Sequence, residues 1–263
     1  MTASLTKNKI EEICRQITPD HISGVESFVV FLGHAHSGHS LIGALLDSHP
    51  RAAITNEINV AKLLVDHDLN SEQTLSLLLS TSFENQHPDA WNNTGYSYKT
   101  TTGFQGNTTH PLVIGDKKGG GNTRIIKKNP QVLERLHKLF GGKLKFIQVI
   151  RNPYDNIAAF SHYWQEPINI KHVERYFENL ETTQFIESTG IGSFYKLDYT
   201  SFMQNPKLEY TNLLKFVELE INEELINLTL KIVNKTEHKR AKKYDWPPDI
   251  LAAIEKNIKI FNY

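Results

Sequence analysis

The sequence has a single cysteine, Cys14, so no disulfide can close within the chain and the fold must rest on packing alone. It has no apolar stretch near the roughly 20 residues that a membrane-spanning helix requires; runs such as residues 28–32 have the length of a buried strand. It has no net charge, with 29 Lys and Arg against 29 Asp and Glu. That balance removes the overall field that nucleic acid or an anionic membrane surface would answer to, so any anion site has to be built locally. The opening MTASLTKNKIEE lacks the apolar core of a secretory signal. The expectation is a reducing, cytoplasmic setting with no membrane and no nucleic-acid partner. Internal repeats and low-complexity linkers are absent too, and 263 residues fit one domain spanning 1–263.

What is present is an alternation of strand-like and helix-like segments. Residues 5–17 carry Leu5, Ile10, Ile13 and Ile17 between charged residues, the pattern of a short amphipathic helix with a packing role. Residues 27–33 read as a buried strand ending in glycine, followed by a helix over 40–48 and helical spacing over 57–82. The stretch 84–124 is rich in Asn, Thr, Gly and His, with Trp91, Tyr96, Tyr98 and Phe104 scattered through it. It is expected to be a loop-rich insert that binds an acceptor or acts as a lid. A helix over 129–140 and a strand over 144–150 follow. A second strand-loop-helix unit begins at Arg151, then come a helix over 172–189, a strand over 193–198 and helices over 206–218 and 222–234. The alternation predicts an α/β fold of three αβα layers with a mostly parallel central sheet, and a ligand site beyond the carboxyl ends of its strands.

Two segments carry chemistry. Gly33-His34-Ala35-His36-Ser37-Gly38-His39-Ser40 joins a strand to a helix and nearly matches G-x-x-x-x-G-K-[ST], with His39 where the lysine belongs. Backbone N–H groups of such a loop and the helix N-terminus point at a bound phosphate or sulfate. Without the lysine, ordinary ATP or GTP hydrolysis is disfavoured. The second segment, Arg151-Asn152-Pro153-Tyr154-Asp155, follows the strand that ends at Ile150 and places an arginine fork at a strand end.

The glycine loop, with Leu41 to Asp47, His49 and Pro50 after it, resembles the 5′-phosphosulfate-binding loop and first helix of sulfotransferases that use 3′-phosphoadenosine 5′-phosphosulfate (PAPS). His36 stands where that family has a lysine or arginine, and His39 and Ser40 stand in the places of two threonines. The resemblance implies that His36, Ser37, Gly38, His39, Ser40 and Leu41 bind the donor. Arg151 to Asp155 resembles the family's 3′-phosphate motif. Ala159 replaces the serine expected eight positions after Arg151, and Ser161 is a nearby candidate to compensate. Similarity over residues 28–60, 112–160 and 194–220 implies the family's phosphosulfate-loop fold, with PAPS as co-substrate and 3′-phosphoadenosine 5′-phosphate (PAP) as product.

Glu57 falls where tyrosylprotein and heparan-type sulfotransferases place a catalytic glutamate, which makes it the candidate base for the acceptor proton. Positive charge concentrates between 116 and 128. Gly115-Asp116-Lys117 resembles a bacterial sulfotransferase motif and Lys128-Asn129-Pro130 the Lys-Asp-Pro of tyrosylprotein enzymes, so Lys117 and Lys128 are both candidates for stabilising the leaving oxygen, with His36 an assisting group. The other lysines of the run read as a solvated basic loop. Residues 197–202 are similar to a structural segment of the family, and the basic run 238–246 is a candidate to close over the nucleotide. His34, His36 and His39 lack the further ligand of usual zinc helices, so no metal is expected. The acceptor implied is a small molecule sulfated on a hydroxyl or an amine or guanidine nitrogen, natural products of the paralytic-toxin type included. A phosphotransferase or nucleotidase with an altered loop, and an inactive nucleotide-binding module, are the rival readings.

Overall fold

A computed structural model describes residues 5–93, 96–233 and 240–261. The chain begins with α1 (Lys7–Gln16) and α2 (Pro19–Ser23), then β1 (Ser27–Gly33), α3 (His39–Asp47), β2 (Ala52–Thr55), α4 (Val60–Asp66) and α5 (Ser71–Ser82). A small ribbon follows, β3 (Asn92–Asn93) with β4 (Tyr96–Ser97), and then β5 (Val113–Asp116), α6 (Gly119–Lys128), α7 (Gln131–Phe140) and β6 (Leu144–Ile150). The remainder is α8 (Pro153–Trp164), α9 (Ile170–Ser188), β7 (Ser193–Asp198), α10 (Tyr199–Gln204), α11 (Pro206–Phe216), α12 (Glu223–Thr229) and α13 (Pro248–Phe261). Among the described residues no helix is long and apolar enough to cross a membrane.

Five strands form one parallel sheet in the order β2-β5-β1-β6-β7. The central strand β1 is buried along its whole length because helices cover both faces, as a parallel sheet requires. Its period of two sends Phe28, Val30 and Leu32 into a core shared with α1, α4, α5, α6 and α7, and Val29 and Phe31 into one shared with α3, α11 and α12. Ile10 and Ile17 of the N-terminal segment pack into the first of these cores. The strands that follow β1 in sequence lie on one side of it until β6, which crosses to the other. The crevice beyond the carboxyl end of β1 is therefore the topological switch point where ligands settle in such sheets.

The architecture is the α/β fold that the alternation predicts, with two local departures. The loop-rich reading of 84–124 holds only for its first part, because residues 113–116 form a central strand and residues 119–128 a helix. Four residues are too few for a period to declare itself, and three successive glycines are poor helix formers. They are required by close approach: a Cβ at Gly119 would lie 2.6 Å from the His39 ring. The helix read over 57–82 is two helices, divided where the Asn70 side chain accepts from the Gln73 N–H and caps α5.

Candidate functional site

The loop between β1 and α3 reverses direction through two left-handed residues, His36 (φ 63°) and Gly38 (φ 105°). Gly38 is fixed by sterics as well as by φ, since a Cβ there would fall 2.5 Å from the Tyr199 ring. Asn156 of α8 holds the loop, its Nδ2 donating to the Ala35 carbonyl and the Ser37 hydroxyl, each at 3.0 Å. The three loop histidines go to different places. His34 is buried and stacked on Tyr176 at 3.9 Å. His39 donates from Nε2 to the Leu32 carbonyl at 2.9 Å; burial above all holds its pKa down to about 4, so it is a neutral wall. His36 lies edge-on to Phe160, at 5.2 Å between ring centres.

The crevice above this loop is a cavity of about 600 Å³, within the usual range for ligand sites. His36, Gly38, His39 and Ser40 line it, whereas Ser37 is turned to Asn156 and the Leu41 side chain lies in the core. Lys117, at the end of β5, is 2% exposed. Its Nζ donates to Glu57 Oε1 at 2.8 Å and to the Ser40 hydroxyl at 3.2 Å, and stands 5.9 Å from the centre of the Trp91 ring. Lys118 grips the other oxygen of Glu57. Glu57 follows β2 in a left-handed conformation, φ 76°. Burial works to raise its pKa, but the two ammonium groups outweigh it and hold the carboxyl at about 2. For Lys117 burial dominates and lowers the pKa against the pull of Glu57.

The two candidate lysines thus part company. Lys117 joins the cavity, while Lys128 is exposed at the carboxyl end of α6 and does not line it. Lys118, which the sequence leaves among the solvated residues, is the second cation on Glu57.

Arg151 leaves the end of β6, donates from Nη1 to the His36 carbonyl at 2.9 Å and lies over the Tyr199 ring at 5.5 Å. Ala159 faces the cavity. Ser161 does not take the missing serine's place: it is buried, off the cavity, and its hydroxyl donates to the Glu166 carbonyl beyond the last turn of α8. The 100° step between successive helical residues turns position 161 away from the face that 159 presents. Of the basic run 238–246, residues 238 and 239 lie outside the described residues. The turn at Arg240–Lys243 is anchored on α8, where the Ala241 N–H donates to Asp155 at 2.8 Å. From the insert, Tyr96 and Tyr98 reach the cavity. Trp91 is buried and donates to Asp47, and Phe104 is exposed.

Among the described residues the cavity wall carries five basic side chains, Lys117, Lys118, Arg124, Arg151 and Arg175, against one carboxylate, Glu57. A chain without net charge thus sets a local excess of basic side chains at the end of its central strand. The sulfotransferase family model matches residues 29–223, well over half of the sequence. The chain belongs to the sulfotransferase family. The match takes in both motifs, Glu57, Lys117 and the two further arginines, and stops short of α13.

Solved structures agree on the fold of this sulfotransferase-family chain. The sulfotransferase domain of the Synechococcus PCC 7002 olefin synthase is 14% identical, with 91% of this chain and 95% of that one covered and a TM-score of 0.56. The sulfotransferase domain from the curacin biosynthetic pathway is 13% identical over 91% of this chain and 98% of its own, with a TM-score of 0.52. The sulfotransferase STF9 from Mycobacterium avium is 11% identical over 97% and 79%, with a TM-score of 0.50. No curated protein matches the sequence.

Arg124, Arg175, Lys118, Tyr163, Trp164 and Tyr199 escape a reading of the sequence. Tyr199, the first residue of α10, lies within the segment 197–202 taken as structural, and Lys118 and Arg124 lie within the positive run 116–128.

Proposed function

We propose that the chain transfers a sulfuryl group from PAPS to a hydroxyl or an amine or guanidine nitrogen of a small-molecule acceptor. The observation that carries this reading is the pairing of Lys117 with Glu57 directly beside the glycine loop, inside a cavity of strongly positive lining. The cavity fits such a donor. The loop and the start of α3 offer backbone N–H groups to the sulfate and 5′-phosphate, Arg151 presents a fork to the 3′-phosphate, and the volume suits a nucleotide and part of an acceptor.

In this reading Lys117 stabilises the negative charge that gathers on the oxygen between sulfur and the leaving 5′-phosphate, aided by Ser40. Glu57 takes the proton of the attacking hydroxyl or amine as the new bond to sulfur forms and the bond from sulfur to the bridging oxygen breaks, its electron pair leaving with PAP. A carboxylate held at about 2 by two lysines is a weak base. Glu57 gains basicity as the lysines turn to the donor's anionic groups. Tyr96, Tyr98, Tyr163 and Trp164 give the acceptor side an aromatic wall suited to a natural-product scaffold. The rival phosphotransferase reading wants a carboxylate free to hold magnesium. Asp116, the acid at the end of β5, is fully buried and already accepts from Val60 N–H at 2.9 Å and Asn122 at 3.0 Å.

Calorimetric titration with PAP, 5′-AMP and ATP on the wild type and on Arg151→Ala tests the donor. PAP is expected to bind at least about tenfold tighter than 5′-AMP, with the preference lost in the variant. Equal or tighter binding of ATP would sink the reading. Turnover with labelled PAPS then separates an enzyme from an inactive binding module.

A further inference from the structure

Arg124 of α6 and Arg175 of α9 belong to neither phosphate motif, yet both line the cavity. Arg175 lies over the rings of Trp164, at 4.6 Å, and Phe160, at 5.2 Å, so its plane is held by stacking. Its Nε is buried and has no hydrogen-bond partner. A Cβ at Gly120 would stand 3.4 Å from Arg124 Nη1 and 3.0 Å from the Ala35 nitrogen, which sets that guanidinium beside the glycine loop. Burial lowers the pKa of both groups, and Arg124 adds to the lowering at Arg175, as two like charges close together must.

Among the described residues neither arginine makes an ion pair, and the neighbouring carboxylates have other partners. Glu178 pairs with Lys127 at 2.9 Å, Glu166 stands 3.7 Å from His172, and Glu57 is shared by Lys117 and Lys118. Half-buried guanidinium groups that share a cavity and repel one another without a carboxylate partner are costly unless an anion comes between them. On α8 the place of the missing serine is held by Ala159, which faces the cavity, and Ser161 is turned away.

We infer that Arg124 and Arg175 form a second oxyanion subsite, apart from Arg151, that takes a phosphate or sulfate group of a bound ligand. The group is the donor's 3′-phosphate, gripped here because the helix lacks its serine, or an anionic substituent of the acceptor. The inference rests on the reading of this cavity as the donor and acceptor site. Guanidinium forks suit such a group, each offering paired N–H donors to tetrahedral oxygens.

The test is calorimetric titration of the full chain, wild type against Arg124→Gln and Arg175→Gln, with PAP, with 5′-AMP, and with inorganic sulfate added to PAP-loaded protein. If the 3′-phosphate is the group, the preference for PAP over 5′-AMP falls about tenfold or more in each variant. If the acceptor carries it, PAP binding holds, the loaded wild type binds sulfate, and the variants bind it about tenfold more weakly. An unchanged PAP preference together with unchanged sulfate binding overturns the subsite. Arg175 packs on two rings, so Arg124→Gln carries the test should Arg175→Gln fail to fold. A wild type that does not prefer PAP to 5′-AMP refutes the donor reading instead. Sulfate titrated onto the ligand-free chain then judges the subsite alone: weaker binding in Arg124→Gln supports it, and identical binding overturns it.

Discussion

Lys117 and Lys128 are equivalent on the page of the sequence and very different in space, so replacing each by methionine separates them. Truncating Lys117 to alanine would be a poor experiment, because its stem fills a closed slot. A Cβ at Gly43 would meet Lys117 Cγ at 2.6 Å, and the residue is 2% exposed. Losing three buried methylenes there would cost about 2–3 kcal/mol in stability and confuse the outcome. Methionine keeps the stem and removes only the charge. It leaves Glu57 with Lys118 as its remaining cation, so the carboxyl rises from about 2 toward its ordinary range. Removing the charge that meets the leaving oxygen is expected to lower kcat by about 10²–10³-fold, the scale seen when one donor to a developing oxyanion is deleted. Lys128→Met, on an exposed helix end, is expected to leave kcat within about twofold, as surface changes away from a site do. Turnover of labelled PAPS measures both, with thermal unfolding as the check on folding. Full activity in Lys117→Met beside a large loss in Lys128→Met would refute the assignment of the leaving-oxygen role to Lys117.

Further outcomes follow from the same geometry. Glu57 titrates far below its unfolded value, so its ion pairs add stability that is present above about pH 4.5 and lost as pH falls toward 2. In turnover, lysines drawn onto the donor free Glu57, so the acid limb of kcat should lie at higher pH than that of kcat/KM, and Glu57→Gln should cost about 10²-fold or more; coincident limbs would count against Glu57 as base. Ala159→Ser, which adds a hydroxyl to the cavity wall, is expected to tighten PAP binding by a few-fold, about 0.5–1.5 kcal/mol for one hydrogen bond. Ser161→Ala should leave that affinity alone and lower stability by about 1 kcal/mol, since its hydroxyl serves only the Glu166 carbonyl; calorimetry and thermal unfolding read the two effects.

The parts of this site that can be read from the sequence are those where chemistry and local structure coincide. The glycine loop follows a seven-residue strand whose burial is evident, and Arg151 follows another. The rest depends on elements that leave little trace. The strand β5, which delivers Lys117, has four residues, and the helix that carries Arg124 opens on glycines set by close approach to His39, the Ala35 backbone and Lys118. Arg175 lies on α9 among charged residues, and no spacing along that helix tells it from Glu174 or Glu178, which do not line the cavity. Its role exists only because α9 packs on α6 and α8 and brings the arginine over Phe160 and Trp164.

Four residues other than glycine near the donor site, His36, Glu57, Asn59 and Gln165, hold left-handed backbones, each at a cost of about 1–2 kcal/mol. Such conformations last only where the surroundings over-determine them. For Glu57 and Asn59 the constraint is a buried network centred on Asp116. One of its oxygens accepts from the Val60 N–H at 2.9 Å and from Asn122 Nδ2 at 3.0 Å, and the other from Lys118 N–H at 3.3 Å and the Thr55 hydroxyl at 3.2 Å. Asn122 in turn accepts from the Ala61 N–H at 3.1 Å, and Asn59 caps α4 by accepting from Lys62 N–H at 3.2 Å. A single carboxylate therefore ties the end of β2, the start of α4 and the start of α6 together. That fixes the separation between Glu57 and Lys117. Asp116 does not line the cavity, yet it helps to set the distance on which the proposed transfer depends, and its negative charge beside Lys117 favours keeping that lysine charged.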